Sequence, residues 1–325
     1  MKELYEQYMA GKQPFRCRGR LLSFFNTDGS PMKKSVYNTT PPLWLTIGGV
    51  VKRLIAGRVE NLHEWALSEI MFFEECGPLM YRHVPDAPIF KGEDPSIAIL
   101  KGEIILFFVQ VSAHFKHNNR YNFETKCYRG FDIHNLKPFG AIPGKDNRVV
   151  ETPDGHIAFT PRPQGYIGGT GTIAYTEIPC IEAIVDVRVT EEMLIPNLIP
   201  KSKSKGVITW GGVNQLICIR QKNEIGFVAH GAFQYPDTGA KVYVGIWKKQ
   251  NRNTGKLSRL KILAVRDDFP ATIAKAKELE NVFFPSGLDW DENGVPWLYG
   301  GLSDTSMGVL SMRHDKEITD LAQQQ

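Results

Sequence analysis

A small turn followed by a hydrophobic strand recurs five times along this chain, and no other feature constrains its fold as strongly. The turns fall at Gly49 (IGGVVKRLIAGR), Gly102 (KGEIILFFVQV), Gly155 (DGHIAFTPRP), Asn223 (KNEIGFVAHGAF) and Gly294 (ENGVPWLYGGL), at intervals of 53, 53, 68 and 71 residues. Five such units in 325 residues leave about 65 residues for each, which suits a four-stranded blade with long loops. The expected fold is therefore all-β: a five-bladed β-propeller, one domain over residues 1–325, with a few short helices in loops. A β-sandwich or a two-domain β protein is the competing pattern. The propeller is favoured because Arg58, Arg162, His230 and Asp304 all follow apolar strand segments and would converge at one end of a central channel. Two stretches read as helical: Val59 to Glu75, whose apolar residues partly fit a helical spacing, and Phe269 to Val282, with a proline near its start and helix formers after it.

The composition supports a soluble globular protein with a sizeable core, at 42% hydrophobic and 23% charged residues. A formal charge of only +4, with basic residues scattered apart from the PKSKSK run near Lys201, argues against nucleic acid as a partner. That run reads as a mobile surface loop. The five cysteines, Cys17, Cys76, Cys127, Cys180 and Cys218, are widely spaced and form no C-x-x-C pair, so neither a disulfide framework nor a zinc site is expected. The N-terminal stretch is too polar for a secretory signal, and the longest apolar run, Ile104 to Val109, is too short to span a bilayer. A cytoplasmic protein without membrane association is the expectation. Its oligomeric state is left open.

The residues able to do chemistry fall into three groups. Asp94 precedes the most apolar strand and Asp304 follows another, and two such acids facing one cavity suit an acid and a base, or an acid and a ligand for sugar hydroxyls. Taken singly, an aspartate at a strand end is more often structural. Glu93, one residue from Asp94, is expected on the opposite face of an extended chain and in a structural role. Arg129, Lys145, Arg148, Arg162, His230 and Tyr243 form the second group, suited to phosphate oxygens if they converge and otherwise solvated or core residues. The aromatic residues, Trp44, Trp65, Trp210, Trp247, Trp290 and Trp297 among them, suit sugar stacking or blade filling equally well. The Gly-rich GGTGT at Gly168 to Thr172 lacks the lysine and strand-to-helix context of a nucleotide loop and reads as a hairpin turn. No His and carboxylate spacing suggests a metal.

Several of these stretches carry a family resemblance. GEDPSIAILKGEIILFFVQV resembles the catalytic-aspartate segment of the mannoside phosphorylases of glycoside hydrolase family 130. NVFFPSGLDWDENGVPWLYGGLSDTSMGVL, VYNTTPPLWLTIGGVVKRLIAGRVE and GKDNRVV with DGHIAFTPRP are similar to three further stretches of that family. Length and sequence style are closer still to the related family once called domain of unknown function 1861, now glycosyltransferase family 108, from Arg16 to Met312.

The resemblance implies an inverting β-1,2-mannoside phosphorylase or mannosyltransferase without a cofactor. Inorganic phosphate or a sugar phosphate is then co-substrate, and the partners are a β-mannooligosaccharide with mannose 1-phosphate or GDP-mannose. Asp94 would supply the proton to the glycosidic oxygen, through a substrate hydroxyl as relay. Asn38, Arg58 and Asp304 would hold the mannosyl ring, and Arg129, Lys145, Arg162, His230 and Tyr243 the phosphate. Two rivals remain at this stage. An inverting glycosidase on the same scaffold needs a second carboxylate, for which Glu177, Asp267 and Asp268 are the candidates, and a glycan-binding propeller needs no catalysis.

Overall fold

In the computed structural model nearly all of the described regular secondary structure is strand. The structure describes every residue except 12–17, 63, 65–66, 114–120, 164–166, 170 and 324–325, so Cys17, Trp65 and Thr170 lie outside the described residues. The five expected hairpin turns are all present, and Gly49, Gly102, Gly155, Asn223 and Gly294 all have φ between 49° and 81°. That left-handed conformation costs glycine nothing and asparagine little, which is why the rhythm of the fold could be read from these residues.

The described strands form four sheets. The first has seven strands, built around Val50–Glu60 and Glu69–Gly77. The second is the four-stranded run Glu93–Leu100, Glu103–Ala113, Tyr121–Gly130 and Lys137–Pro143. The third is Arg148–Glu151, Ile157–Thr160 and Thr176–Ile178. The fourth has eight strands, because a short parallel pairing of Val242 with Asn281 and Tyr243 with Val282 joins the antiparallel run Ile208–Ile219 to Lys261–Val265 onto the run Asn281–Trp290 to Ser306–Ser311. Five separate sheets are therefore not what hydrogen bonding alone displays.

Packing between the sheets runs round a ring. Leu54, Ala56, Ile70 and Phe72 of the first sheet meet Ile104, Leu106 and Phe108 of the second. Ile105 and Phe107 of the second meet Ile157 and Phe159 of the third, and Ala158 meets Val213, Ile225 and Phe227 of the fourth. Within the fourth, Val228 and Trp247 pack on Phe283 and Leu298. The ring returns to its start where Tyr299, Met307 and Val309 pack on Tyr37, Ile55 and Phe73. Arg20–Leu21, from the other end of the chain, pairs with Ser306–Ser311.

This double-sided burial corrects the first helical expectation. Residues 59–75 hold the end of one strand and most of another, with Ile70 and Phe72 entering one core cluster and Met71 and Phe73 the opposite one. A strand buried on both faces reads as a continuous apolar run, so its period of two is hidden in the sequence. Each phenylalanine so buried contributes roughly 1.5–3 kcal/mol. The second expectation fails too: residues 269–282 hold one 3-10 turn, Lys277–Leu279, before the strand Asn281–Trp290. Tertiary bonds to Ser303 and Thr305 fix that segment instead.

An N-terminal helix, Lys2–Gly11, lays Leu4, Tyr5, Tyr8 and Met9 on Phe233 and its neighbours in the fourth sheet. The PKSKSK run is anchored to that helix, since Glu3 Oε1 accepts from Ser202 Oγ at 2.7 Å, Lys203 N at 2.9 Å and Ser204 N at 3.0 Å. No described helix is long and apolar enough to cross a membrane.

Candidate active site

All four sheets deliver side chains to one cavity of about 440 Å³. Asn38 follows the strand Ser35–Tyr37, Arg58 lies near the end of Val50–Glu60, and Glu93 and Asp94 open the strand Glu93–Leu100. Lys145 and Asp146 lead into the third sheet and Arg162 leaves it, while Trp210, His230, Tyr243 and Phe284 come from within strands of the fourth. Asp304 sits in the turn after Pro296–Leu302.

Four of these residues, Asn38, Asp94, Asp146 and Asp304, have φ of 46°, 48°, 57° and 55°. Asn and Asp tolerate this region better than other residues with a Cβ, and four of them face this one cavity.

Two linked groups of polar side chains line the cavity. In the first, Asn38 Nδ2 donates to Asp94 Oδ1 at 2.8 Å. Arg58 reaches the same oxygen through Nη1 at 3.4 Å and Glu93 Oε1 through Nη2 at 2.8 Å. Behind Arg58, Ser68 Oγ accepts from its Nε at 2.9 Å and Glu60 Oε2 from its Nη2 at 3.2 Å. The Asp304 carboxyl is pushed up to about 6, because burial and the neighbouring Asp94 charge raise it more than Arg58 lowers it. Burial and the neighbouring Asp94 charge likewise raise Glu93 against the pull of Arg58.

In the second group, Arg162 Nη1 donates to Asp146 Oδ2 and both side chains are buried. Burial alone would raise Asp146, but Arg162, and beyond it Lys145 and Arg148, more than offset this and hold its carboxyl well below the usual range. His230 Nδ1 lies 2.9 Å from Asn214 Oδ1, and burial lowers its pKa to about 3, so the ring is neutral at pH 7. Tyr243 OH accepts from Trp210 Nε1 at 2.9 Å, and its ring stacks on His230 at 5.5 Å. Lys145 places its ammonium 4.7 Å from the centre of the Phe123 ring. Arg162 Nε is buried and has no hydrogen-bond partner among the described residues, an unmet donor at the cavity.

His230 makes the fold sensitive to acid. The unfolded chain protonates this histidine near 6.5 and the folded one only near 3, so its contribution is fully present above that window and is lost as pH falls through it. The loss approaches about 4 kcal/mol at the bottom of the window. Denaturant melts from pH 7 to pH 4 should show a shallower loss in His230→Gln than in the natural protein, and parallel curves would contradict this.

Of the residues singled out in the sequence, Asp94, Asn38, Arg58, Asp304, Lys145, Arg162, His230 and Tyr243 all line the cavity. Arg129 does not. Its guanidinium donates to Glu103 Oε1 at 2.7 Å and Oε2 at 2.6 Å and to Glu182 at 2.5 Å, which accounts for both ends of the fork. Arg148 is buried beside the site, with Nε on the Asn214 carbonyl at 2.6 Å.

Glu93 corrects the expectation made for it, since it faces the cavity together with Asp94. The cause is a β-bulge: Phe107 pairs with Ser96 and Val109 with Glu93, so Asp94 and Pro95 together oppose Phe108. With Asp94 left-handed, alternation of faces fails there. Asp146 lies in the GKDN stretch, where nothing local marks it as the partner of Arg162. Trp210, one of the aromatic candidates of the sequence, also lines the cavity, whereas Phe284 carries no local signal. None of Glu177, Asp267 and Asp268 lines the cavity; Glu177 is bound by Arg252 and Asp268 by Arg18.

The chain as a whole has counterparts among solved structures. The chain resembles a GDP-Man-dependent mannosyltransferase, MPT-1, from Leishmania mexicana, with 25% identity and a TM-score of 0.77 over 96% of this chain and 93% of that one. It is equally similar to MPT-4, a mannose phosphorylase from the same organism in complex with phosphate ion, with 25% identity and a TM-score of 0.78 over 98% and 94%. A β-1,2-mannobiose phosphorylase from Listeria innocua, at 13% identity and a TM-score of 0.59 over 97% and 96%, shares the fold. No curated protein sequence matches the chain. The protein is an enzyme of the glycosyltransferase and phosphorylase type. It belongs to the family described as Protein of unknown function (DUF1861), whose model matches residues 10–315.

Proposed function

We propose that this chain is an inverting β-1,2-mannoside phosphorylase or mannosyltransferase, moving a mannosyl residue between α-mannose 1-phosphate, or GDP-mannose, and a β-mannooligosaccharide acceptor. The observation that carries this reading is the pairing, in one cavity, of the Asn38–Asp94–Arg58 group with a cationic group whose Arg162 Nε is unfilled. We read the fold as a single domain and a five-bladed propeller. Dividing the eight-stranded sheet at its short parallel join leaves five mainly antiparallel runs, and the ring of core clusters supports five blades around the cavity.

In the phosphorolytic direction a phosphate oxygen forms a bond to the anomeric carbon from the face opposite the leaving group. The bond from that carbon to the glycosidic oxygen breaks, and the proton of Asp94 reaches that oxygen through a sugar hydroxyl. Phosphate is already a nucleophile, so no carboxylate is needed to activate water. Lys145 and Arg162 bind the anion and aim it, with neutral His230 and Tyr243 as further polar contacts. Arg58, Asn38 and Asp304 hold the sugar. Arg129, committed to Glu103 and Glu182, is left out of this assignment. No cofactor is required, and the phosphate or sugar phosphate is co-substrate.

The test is synthesis. Incubation with mannose 1-phosphate and a mannose or β-1,2-mannobiose acceptor should release phosphate and extend the acceptor by one β-mannosyl residue. GDP-mannose in place of mannose 1-phosphate identifies the donor. No phosphate release and no transfer from either donor would end this reading, and release of free mannose without phosphate would favour the glycosidase.

A further inference from the structure

Beneath the sugar-binding side chains lies a buried ion pair that no part of the mechanism uses. Lys275 comes from the segment between Lys261–Val265 and Asn281–Trp290, and its ammonium pairs with Glu60, each side chain 1% exposed. Its backbone N–H donates to the Ser303 carbonyl at 3.0 Å, immediately before Asp304. Ser303 Oγ in turn donates to the Glu280 carbonyl at 3.1 Å, and Thr305 Oγ1 to the Ile273 carbonyl at 2.5 Å. One residue is thus tied by its main chain to the turn that presents Asp304, and by its side chain to the carboxylate behind Arg58.

Glu60 is one of the groups that hold Arg58 from behind. Its Oε2 accepts from Ser68 Oγ at 2.5 Å and from Arg58, while its Oε1 accepts from Tyr37 OH at 2.5 Å and from Lys275. The Tyr37 ring lies 5.0 Å from the Arg58 guanidinium and 5.9 Å from the Lys275 ammonium. If Lys275 were neutral, Glu60 would have Arg58 as its only cationic partner in this group, and Arg58 would be drawn back from Glu93 and Asp94. Buried groups make such competition costly, because a charge without its partner has no water to turn to.

We propose that Lys275 is a positioning residue for the sugar half of the cavity: by holding Glu60 Oε1 it leaves Arg58 free to face Glu93 and Asp94, while its backbone fixes the turn that carries Asp304. That this half takes a mannosyl ring rests on the proposed function. The charged and titratable groups facing Asp304 are Arg58 and Glu60 from one strand, Tyr37 beside them, Asp94 from the second sheet, Tyr243 from the fourth, and Lys275 itself. Removing one of the two cations in this set makes ionisation of Asp304 harder.

The experiment compares Lys275→Met, Lys275→Arg and the natural protein in the synthetic assay across pH 4.5 to 8. Lys275→Met should raise KM for the mannosyl substrate by about 10- to 100-fold, the effect of losing a charge-assisted hydrogen bond. KM for phosphate should stay within about threefold, and the acid limb of kcat/KM should move up by about one pH unit. Lys275→Arg should recover most of the loss. Equal effects on sugar and phosphate, or an unmoved acid limb, would overturn the assignment.

If Lys275→Met does not fold, Tyr37→Phe, which removes a single bond to Glu60, should shift the same quantities in the same direction by less, and no shift would count against the proposal. A substrate-free measurement separates this claim from the proposed function. By carbon-13 NMR of labelled aspartate, Asp304 should titrate at higher pH in Lys275→Met than in the natural protein, whether or not mannose is the substrate. Superimposable titration curves would overturn the positioning role alone.

Discussion

Replacing Asp94 by Asn is expected to lower kcat about 100- to 10,000-fold in both the synthetic and phosphorolytic directions, the range for loss of a general acid. The substitution suits the position, because Asn is among the few residues that accept φ near the 48° found there. Asn38 keeps a carbonyl oxygen to donate to, and Arg58 keeps Glu93 and Glu60 as partners. Folding and phosphate binding should therefore persist, with phosphate affinity by calorimetry within about threefold. Activity within tenfold of the natural protein would move the acid elsewhere, and Glu93, sharing the cavity and Arg58, would be the next residue to test.

Arg162→Ala should affect both stability and function. Truncation leaves Asp146 buried without its ion-pair partner, at a cost of about 3–5 kcal/mol in chemical denaturation. Much of that cost should return in the double variant with Asp146→Asn, which removes the stranded charge. The double variant should still show a KM for phosphate raised about 10- to 100-fold, because Arg162 supplies charge-assisted donors that no described residue fills at Nε. KM for the mannosyl acceptor should change far less. Equal changes in both constants would detach Arg162 from the anion, and a fully stable single variant would mean that the pair with Asp146 contributes little to the fold.

Gly212 shows how tightly this half of the cavity is built. A Cβ there would lie 2.5 Å from Asp146 Oδ2 and 2.8 Å from His230 Cε1, so the ion pair and the neutral histidine close onto bare backbone. Nothing in VITWGGVNQL announces that requirement, because both neighbours come from other parts of the chain. Arg129 makes the converse point. It stands with Arg162 among the phosphate candidates that the resemblance implies, but Glu103 on the neighbouring strand and Glu182 in a later turn take its donors.

What the amino-acid sequence determined by itself was local. Five turns with Gly or Asn at left-handed positions set the number and spacing of the hairpins, since a residue's φ preference needs no partner. Asp94 and Asp304 were likewise legible, each beside an apolar run, while Asn38 was reached only through the family resemblance of its stretch. The tertiary structure decided everything that depends on two distant segments meeting. It turned two helical patterns into strand and fixed loop, because burial on both faces overrides a partial helical spacing. It swung Glu93 into the cavity through a bulge set by the neighbouring strand, and brought Lys275 to Glu60 across 215 residues. Charge pairing in a buried site depends on distances of a few ångströms, and those distances exist only once the ring of sheets has closed.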